Sequence, residues 1–265
     1  MDRRGRWRID ETSKIAKTKV GLGRALFAIF GFDRIHIIGC SRSGTTMLHL
    51  AMVCFQDVVL SGLESEPQYP FLRERANLAL RFGWRPGRKH YVTKRAAGWY
   101  RQVDDLVDRV RSENIGLIHL VRDPRDVMLS IYPGCAEPYV SDELWHASIS
   151  AADRAFRLLS DYPNKLTLRY EDLVLDSERT GRRIGAAFGL KKNPEAFPIN
   201  QIKDNFERLD VRFASFALRS LSGLRNMDAN SIEKWRRESN RPRTDTLAPQ
   251  IRDRFEAFCT EYSYD

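Results

Sequence analysis

The sequence predicts an α/β fold in which helices flank both faces of a central, mainly parallel sheet. Two observations lead to this prediction. Short apolar runs rich in β-branched residues, such as 35–38 and 116–121, are typical of buried strands. Segments with the apolar spacing of helices, such as 102–111, separate these runs between residues 35 and 188. Because parallel strands need long crossover connections, this alternation indicates a parallel sheet.

Strands are predicted by short apolar or alternating runs at 35–38, 58–60, 91–93, 116–121 and 166–169. Helices are predicted between and after them by apolar spacing at 45–55, 67–82, 102–111, 125–131, 143–159 and 177–188. End signals agree with these bounds, since Pro163 follows the long helix and Gly189 follows the last. Residues 190–242 lack clear periodicity and contain many arginines, and a closing helix is predicted at 247–262.

The composition is that of a folded protein. Of the 265 residues, 42% are hydrophobic, which is enough to bury a large core. No apolar run reaches the roughly 18 residues of a membrane-spanning helix, so no membrane span is expected. The four cysteines lack metal-ligand spacing and are expected to be reduced thiols in a cytoplasmic protein without a metal. Residues 1–33 are predicted to be a basic N-terminal extension and residues 34–265 one domain.

The charge narrows the class of partner. The 44 Lys and Arg residues exceed the 35 Asp and Glu residues, which gives a net charge of +9. Such an excess is typical of proteins that bind nucleic acid, an anionic membrane surface or an anionic small molecule. The basic residues are spread along the chain without a run of five, which argues against a nucleic-acid-binding tail. An arginine-lined pocket for a compact anion agrees with this distribution.

A candidate anion-binding loop, here called the first cradle, spans residues 39–46. Its sequence, Gly-Cys-Ser-Arg-Ser-Gly-Thr-Thr, follows a predicted strand and opens a helix, as phosphate-binding loops do. The glycines allow a tight turn that points backbone N–H groups at one spot, and the helix N-terminus adds partial positive charge. Nucleoside triphosphatases have a lysine directly after the second glycine, whereas this chain has Thr45 there and Arg42 nearby. The first cradle is therefore predicted to bind phosphate without that lysine.

A second candidate, here called the second cradle, spans residues 122–130. Arg122 stands at the carboxyl end of the strand 116–121, where open α/β sheets bind ligands. Pro124 suits the first turn of a helix that is predicted to contain Ser130, whose hydroxyl reaches an anion near Arg122 if the helix runs past it. Taken alone, the segment has a salt-bridged turn as its alternative interpretation. Together with the first cradle, it indicates one ligand with two separate phosphate groups.

The two cradles together resemble the sulfotransferase superfamily. The first is similar to the family's loop for a 5′-phosphosulfate, with Arg or Lys and then Ser-Gly-Thr, and the second to its 3′-phosphate motif, an Arg and a Ser eight residues apart. The segments 168–173 and 232–236 and the position of Lys94 are also similar. The resemblance covers residues 34–262. It implies a P-loop-like three-layer sandwich that uses 3′-phosphoadenosine 5′-phosphosulfate (PAPS) without a metal and releases adenosine 3′,5′-bisphosphate (PAP).

Carried over residue by residue, the resemblance assigns two sets of ligands. The 5′-phosphosulfate would be wrapped by Arg42, Ser43, Gly44, Thr45 and Thr46, and the 3′-phosphate would be held by Arg122 and Ser130. Met47 stands where cytosolic members place a Trp over the adenine. The stretch 219–225 is a candidate counterpart of the family's C-terminal Arg-Lys-Gly element, without that literal motif, which makes Arg219 and Arg225 candidate ligands.

Sulfuryl transfer also needs charge stabilisation and a base for the acceptor hydroxyl. Arg42 and Lys94 are the candidates for charge stabilisation. Cytosolic aryl and steroid members use a His two residues after the lysine, where this chain has Ala96. Carbohydrate and protein-tyrosine members use a carboxylate soon after the second strand, which favours Glu64 as the base and Glu66 second. A charge at a helix N-terminus is the alternative role for both glutamates.

The resemblance implies transfer of a sulfuryl group from PAPS to a hydroxyl acceptor, with a carbohydrate or glycoconjugate favoured and nucleic acid not expected. Two other functions stay open. A P-loop kinase for a nucleotide or small molecule is disfavoured by Thr45 in place of lysine and by the lack of a clear Mg²⁺-binding carboxylate after a strand. A non-enzymatic polyanion-binding protein predicts binding with a steep salt dependence.

Overall fold

The computed structural model describes residues 32–65, 67, 89–95, 98–131, 138–209, 211, 224–236 and 247–264. Within these ranges one sheet contains β1 (Phe32–Ile38), β2 (Val58–Glu64), β3 (Lys89–Lys94), β4 (Gly116–Val121) and β5 (Lys165–Arg169). The strands lie in the order β2-β3-β1-β4-β5, and the pairs β2–β3, β1–β4 and β4–β5 are parallel. The predicted parallel α/β sheet is therefore confirmed.

The helices that flank this sheet are α1 (Thr45–Ala51), α2 (Val103–Ser112), α3 (Pro124–Met128), α4 (Asp142–Leu158), α5 (Tyr170–Leu175), α6 (Ser177–Phe188), α7 (Ile202–Arg208) and α8 (Pro249–Glu261). Short 3₁₀ turns lie at Met52–Cys54, Trp99–Arg101, Ala229–Ser231 and Lys234–Arg236. Local sequence explains several ends. Pro124 stands in the first turn of α3 and the Asp123 side chain caps it, while Gly189 ends α6 in the left-handed region at φ 66°.

The alternation of side chains along the strands divides the core into two layers. Ile35 and Ile37 of β1 belong to one apolar cluster, together with residues of α1, α5 and α6. Ile38 of β1 and Leu117 of β4 belong to a second cluster, together with residues of α2 and α4. A third cluster around Trp145 joins α4 to α8. Helices thus cover both faces of the sheet, as expected of a three-layer sandwich.

Two predicted helices and one stretch without a predicted helix differ from the structure. The predicted helix at 45–55 is α-helical only to Ala51 and continues as a 3₁₀ turn. The helix predicted to contain Ser130 ends at Met128, because the Ser130 N–H already donates to the Val127 carbonyl three residues back. Its own carbonyl accepts the Tyr139 N–H, which starts a short antiparallel contact. The aperiodic stretch 190–242 contains α7.

The predicted helix at 67–82 lies outside the described residues except for its first position, and so do the first 31 residues of the predicted N-terminal extension. Among the described helices, none is both long and apolar enough to cross a lipid bilayer.

Three histidines are buried within the layers. His36 of β1, His49 of α1 and His119 of β4 are each at most 3% exposed. Burial disfavours the charged imidazolium, and it lowers the pKa of His36 and of His49 to about 3 and that of His119 to about 4. Nearby positive groups add to the effect, namely Lys94 for His49 and Arg254 for His119. All three are therefore neutral at pH 7 in the folded protein.

We expect the free energy of unfolding to fall as the pH is lowered from 6.5 toward 4. In this range a histidine of the unfolded chain takes up a proton, with an ordinary pKa of 6.5, while folded His119 does not. The variant His119→Leu removes one such group, so its stability should fall less steeply with pH than that of the wild type. Urea unfolding at about pH 7, 5.5 and 4.5 measures the two slopes, and equal slopes would contradict the prediction.

Candidate functional site

The candidate site lies along the carboxyl edge of the sheet. Strand β1 leads into the first cradle, and its parallel neighbour β4 leads into the second cradle. On the other side of β1, strand β3 ends at Lys94, and β2 beyond it ends at Glu64. The strand order thus brings the two cradles and the proposed catalytic pair to one edge, the usual ligand-binding position of open parallel sheets.

The backbone of the first cradle requires glycine at position 44. Gly44 has φ 97°, and a Cβ atom there would lie 2.4 Å from Cδ2 of Tyr170 at the start of α5. A Cβ atom on Gly39 would lie 2.6 Å from the Leu120 carbonyl oxygen of β4. The loop is therefore packed closely against both neighbouring elements. Arg42 also has a left-handed backbone, at φ 68°, which turns the loop sharply before α1.

The first turn of α1 has no competing side-chain acceptor. Gly44 is its N-cap, without a side-chain hydrogen bond, and no acidic residue follows in the first turn. The Ser43 hydroxyl turns inward and donates to the Cys40 carbonyl at 2.8 Å. Thr45 is buried and Thr46 half-buried. The backbone N–H groups of the first turn, rather than the Ser43 hydroxyl, are therefore the donors that the loop offers to an anion.

Two side chains from beyond β3 support the first cradle. Arg95 Nη2 donates to Ser41 Oγ at 2.9 Å, and the Arg95 N–H donates to the Ile37 carbonyl at 2.8 Å. The indole Nε1 of Trp99 donates to the Gly39 carbonyl at 3.1 Å. These bonds connect the end of β3 to the loop that follows β1.

Lys94 and Glu64 form an ion pair at the ends of β3 and β2. They are register partners, and Lys94 Nζ lies 2.8 Å from Glu64 Oε1. Burial lowers the pKa of Lys94, and the hydrogen bond and charge of Glu64 act in the opposite direction. His49 is a poor candidate base beside them, because its Nε2 lies 3.1 Å from the Val92 carbonyl oxygen and its pKa is about 3.

Arg122 is the centre of the second cradle and is only 8% exposed. Its Nη1 donates to the Arg42 carbonyl at 3.1 Å, and its Nη2 donates to the Ser231 carbonyl. The carboxylate of Asp126, one helical turn on, lies 3.6 Å from Nη2. Burial raises the pKa of Asp126, while the positive charge of Arg122 lowers it. The salt-bridged turn therefore exists, and it also bonds to the first cradle.

The two cradles meet at Arg42 and Ser130. Arg42 Nε donates to Ser130 Oγ at 2.9 Å, and Arg42 Nη2 donates to the Ile131 carbonyl at 3.3 Å. Ser130 therefore reaches this junction although it lies beyond the end of α3. Three predicted ligands from the two cradles, Arg42, Arg122 and Ser130, are thus connected by hydrogen bonds.

The remaining predicted ligands are less well placed or lie outside the described residues. Met47 packs against the apolar cluster beneath α1, so its side chain contacts the core. Arg225 is exposed, and both Arg219 and Glu66 lie outside the part of the chain that the structure describes.

Tyr170 and Trp235 belong to the site but were not predicted as site residues. The Tyr170 ring centroid lies 4.6 Å from Arg122 Cζ, and its hydroxyl donates to Ser231 Oγ at 3.1 Å. The indole Nε1 of Trp235 donates to Asp123 Oδ2 at 3.1 Å. Both residues occur in the two segments, 168–173 and 232–236, that resemble the family, and that was the signal available in the sequence.

Substitution of Gly44 tests whether the first cradle requires glycine at this position. We expect Gly44→Ala to lower the melting temperature and to weaken anion binding, because the added methyl group meets the Tyr170 ring and the φ of 97° is strained for alanine. Gly181→Ala on α6 is the matched control, since no atom lies within 4 Å of its added Cβ. There alanine should be neutral or stabilising by up to about 1 kcal/mol. Equal melting temperatures for the two variants would contradict the requirement for glycine at position 44.

Comparisons with known proteins give matches only among solved structures. No protein-family model and no curated protein matches the chain. Mouse sulfotransferase SULT7A1 complexed with PAP is similar at 15% identity and a TM-score of 0.47, covering 89% of this chain and 88% of that chain. A sulfotransferase from Alicyclobacillus acidocaldarius is similar at 14% identity and a TM-score of 0.42, over 66% of this chain and 89% of that one. The tunicamycin resistance protein of Deinococcus radiodurans is similar at 14% identity and a TM-score of 0.33, over 61% and 98%.

Proposed function

We propose that this protein is a sulfotransferase that transfers a sulfuryl group from PAPS to a hydroxyl acceptor. The observation that best supports the proposal is the junction of the two cradles. There Arg42 Nε donates to Ser130 Oγ at 2.9 Å and Arg122 donates to the Arg42 carbonyl at 3.1 Å. Two arginines, each from a different loop and linked by these hydrogen bonds, suit a nucleotide that has two separate phosphate groups.

The donors at this junction fit such a nucleotide. Arg122 Nε is buried and has no hydrogen-bond partner among the described residues. An unpaired buried donor costs roughly 1–3 kcal/mol, and a phosphate oxygen would remove that cost. The first turn of α1 also lacks a side-chain acceptor. The second cradle would hold the 3′-phosphate through Arg122 and Ser130, and the first cradle would hold the 5′ group.

When bound, PAPS supplies an activated sulfuryl group with a phosphate as its leaving group. Arg42 and the first-turn N–H groups of α1 would hold that phosphate and stabilise the negative charge that develops on it. Lys94 would stabilise charge on the oxygens of the transferred group. The protein's main contribution is to fix donor and acceptor in line, and the proposal requires no metal ion.

Glu64 is proposed as the general base. Its side chain is 44% exposed, whereas that of Lys94 is 6% exposed, so the carboxylate is the member of the pair that an acceptor can reach. The 2.8 Å hydrogen bond from Lys94 fixes the orientation of the carboxylate. A base in this position takes the hydroxyl proton as the new bond to sulfur forms.

We propose a carbohydrate or glycoconjugate hydroxyl as the acceptor. A carboxylate base at the end of β2 supports this choice, as does Ala96 at the position where aryl and steroid enzymes have a histidine. His49 does not replace that histidine, because burial lowers its pKa to about 3, which makes it a weak base, and a backbone carbonyl lies 3.1 Å from its Nε2.

The cofactor assignment predicts a selective thermal shift. At a concentration 100 times its dissociation constant, PAP should stabilise the folded state by about 2.7 kcal/mol, which raises the melting temperature of a chain of this size by roughly 5–10 °C. AMP and ATP should shift it much less, because neither has a 3′-phosphate. An equal shift with ATP would favour the kinase alternative, and no shift with any nucleotide would contradict the proposal.

Arg122→Lys should weaken PAP binding on the order of 10- to 100-fold, because lysine lacks the forked donors of arginine. Lysine retains a positive charge beside buried Asp126, which protects the fold. Arg34→Lys is the matched control. Buried Arg34 pairs with Glu113 at 2.7 Å near the amino-terminal end of β1, away from the carboxyl edge where the cradles lie. Isothermal titration with PAP measures both variants, and equal affinities would remove Arg122 as a ligand.

Glu64→Gln should lower the turnover number roughly 100- to 10,000-fold, the usual contribution of a general base. PAP affinity should stay near normal, because Glu64 ends β2, and strands β3 and β1 lie between β2 and the strand β4 that leads into the second cradle. Glu113→Gln, which removes a carboxylate from an ion pair of similar length, is the control. Transfer of label from PAPS to a panel of glycan acceptors measures turnover. Unchanged turnover would exclude Glu64, and Glu66→Gln then tests the second candidate.

A further inference from the structure

Each cradle is supported by the indole N–H of one tryptophan. Trp99 Nε1 donates to the Gly39 carbonyl of the first cradle, and Trp235 Nε1 donates to the Asp123 carboxylate of the second cradle, both at 3.1 Å. Both rings are half-buried. The two bonds are thus alike in donor, length and burial, but they support loops that follow different strands.

Trp235 has several contacts with the second cradle. Its backbone N–H donates to Asp126 Oδ1 at 3.2 Å, and its ring centroid lies 3.6 Å from Arg125 Cζ. Arg236 Cζ lies on its ring at 4.6 Å. Trp235 therefore connects residues 224–236 to both carboxylates that follow Arg122 in the second cradle, Asp123 and Asp126.

Asp123 transmits this contact to Arg122. It follows Arg122 directly, is 5% exposed, and its side chain also accepts the Arg125 backbone N–H at 2.9 Å. Its own N–H donates to buried Glu171 at 3.0 Å. Ser231, in the same segment as Trp235, accepts a hydrogen bond from Arg122. Loss of the indole N–H would remove one hydrogen-bond donor from the Asp123 carboxylate. It would thereby weaken the contact between residues 224–236 and the second cradle.

We propose that Trp235 is a positioning residue for the 3′-phosphate, acting through Asp123, and that Trp99 has the corresponding role for the 5′ group, acting through the Gly39 carbonyl. The inference rests on the proposed function, because it assigns each tryptophan to one phosphate of the same nucleotide. Neither indole touches the nucleotide in this proposal. Each fixes the loop whose donors do.

The test compares Trp235→Phe with Trp99→Phe, since phenylalanine retains an aromatic ring and removes only the N–H donor and part of the ring area. Three probes separate the two cradles: 5′-AMP contacts the first, 3′-AMP contacts the second, and PAP contacts both. We expect Trp235→Phe to weaken 3′-AMP and PAP roughly 10-fold, the effect of one hydrogen bond to a charged group. Its affinity for 5′-AMP should stay unchanged.

Trp99→Phe should show the reverse pattern, with weaker 5′-AMP and PAP and unchanged 3′-AMP. With saturating PAPS, turnover of Trp235→Phe should return to near the wild-type value while the KM for PAPS rises. A similar loss for all three nucleotides in either variant, or unchanged 3′-AMP affinity in Trp235→Phe, overturns the proposal. Wild-type protein that does not prefer PAP to AMP overturns the proposed function instead.

If Trp235→Phe does not fold, as judged by circular dichroism and melting temperature, Asp123→Asn provides the second variant. It retains an oxygen that accepts the Arg125 N–H and removes the charge that the indole N–H contacts. A selective loss of 3′-AMP and PAP affinity supports the proposal. Equal loss for 5′-AMP overturns it.

Discussion

The candidate site depends on one hydrogen bond, from Arg122 to the carbonyl oxygen of Arg42. This bond joins the Arg122 side chain to the backbone of the first cradle, while the Arg42 side chain reaches back to Ser130 at the end of the second cradle. The carboxylate of Asp126 forms an ion pair with Arg122. Several further contacts of these two arginines are with neutral groups, namely backbone carbonyls, the Ser130 hydroxyl and the Tyr170 ring. Neutral acceptors satisfy hydrogen-bond donors without cancelling their positive charge.

Residues that are distant in sequence stabilise this arrangement by long-range contacts. Asp123 is bonded to Trp235, which is 112 residues further along, and its N–H donates to Glu171. The Glu171 carboxylate in turn accepts the hydroxyl of Tyr264 at 2.9 Å, close to the C-terminal end. Burial raises the pKa of Glu171, and the Asp123 N–H and Tyr264 hydroxyl favour its charged form. The second cradle is therefore a product of long-range packing, whereas the first is formed mainly by a local turn between β1 and α1.

This difference explains what the sequence could and could not predict. Strand β4 and helix α6 have the predicted bounds, because the signals for them act over a few residues. These signals are the apolar run of β4, and the helical periodicity and Gly189 of α6. Gly44 was predicted for the same reason, since its loop chemistry is local. Ser130 was predicted near Arg122 but on the wrong element, because its return contact with Tyr139 begins beyond the helix pattern. The hydrogen bonds from Tyr170 to Ser231 and from Trp235 to Asp123 join segments more than 60 residues apart and leave no periodic pattern. Helix α7 is short, and the many arginines in the surrounding sequence obscure the apolar periodicity by which a helix is predicted.

The topology of the sheet explains why the first cradle lies between the other site residues. Strand β1 is followed by α1 on one face. Its neighbour β3 is followed by α2, and β4 is followed by α3 and then α4, and both α2 and α4 pack with the other face. Where the connections after neighbouring parallel strands pass to opposite faces of the sheet, a crevice opens at the carboxyl ends of those strands. The loop after β1 lies at this crevice, with Arg122 on the β4 side and the Lys94–Glu64 pair on the β3 side. An in-line transfer needs donor and acceptor on opposite sides of the moving group. The proposed division of the site, with the nucleotide on the β4 side and the base on the β2 side, agrees with that requirement, and the strand order β2-β3-β1-β4 provides it.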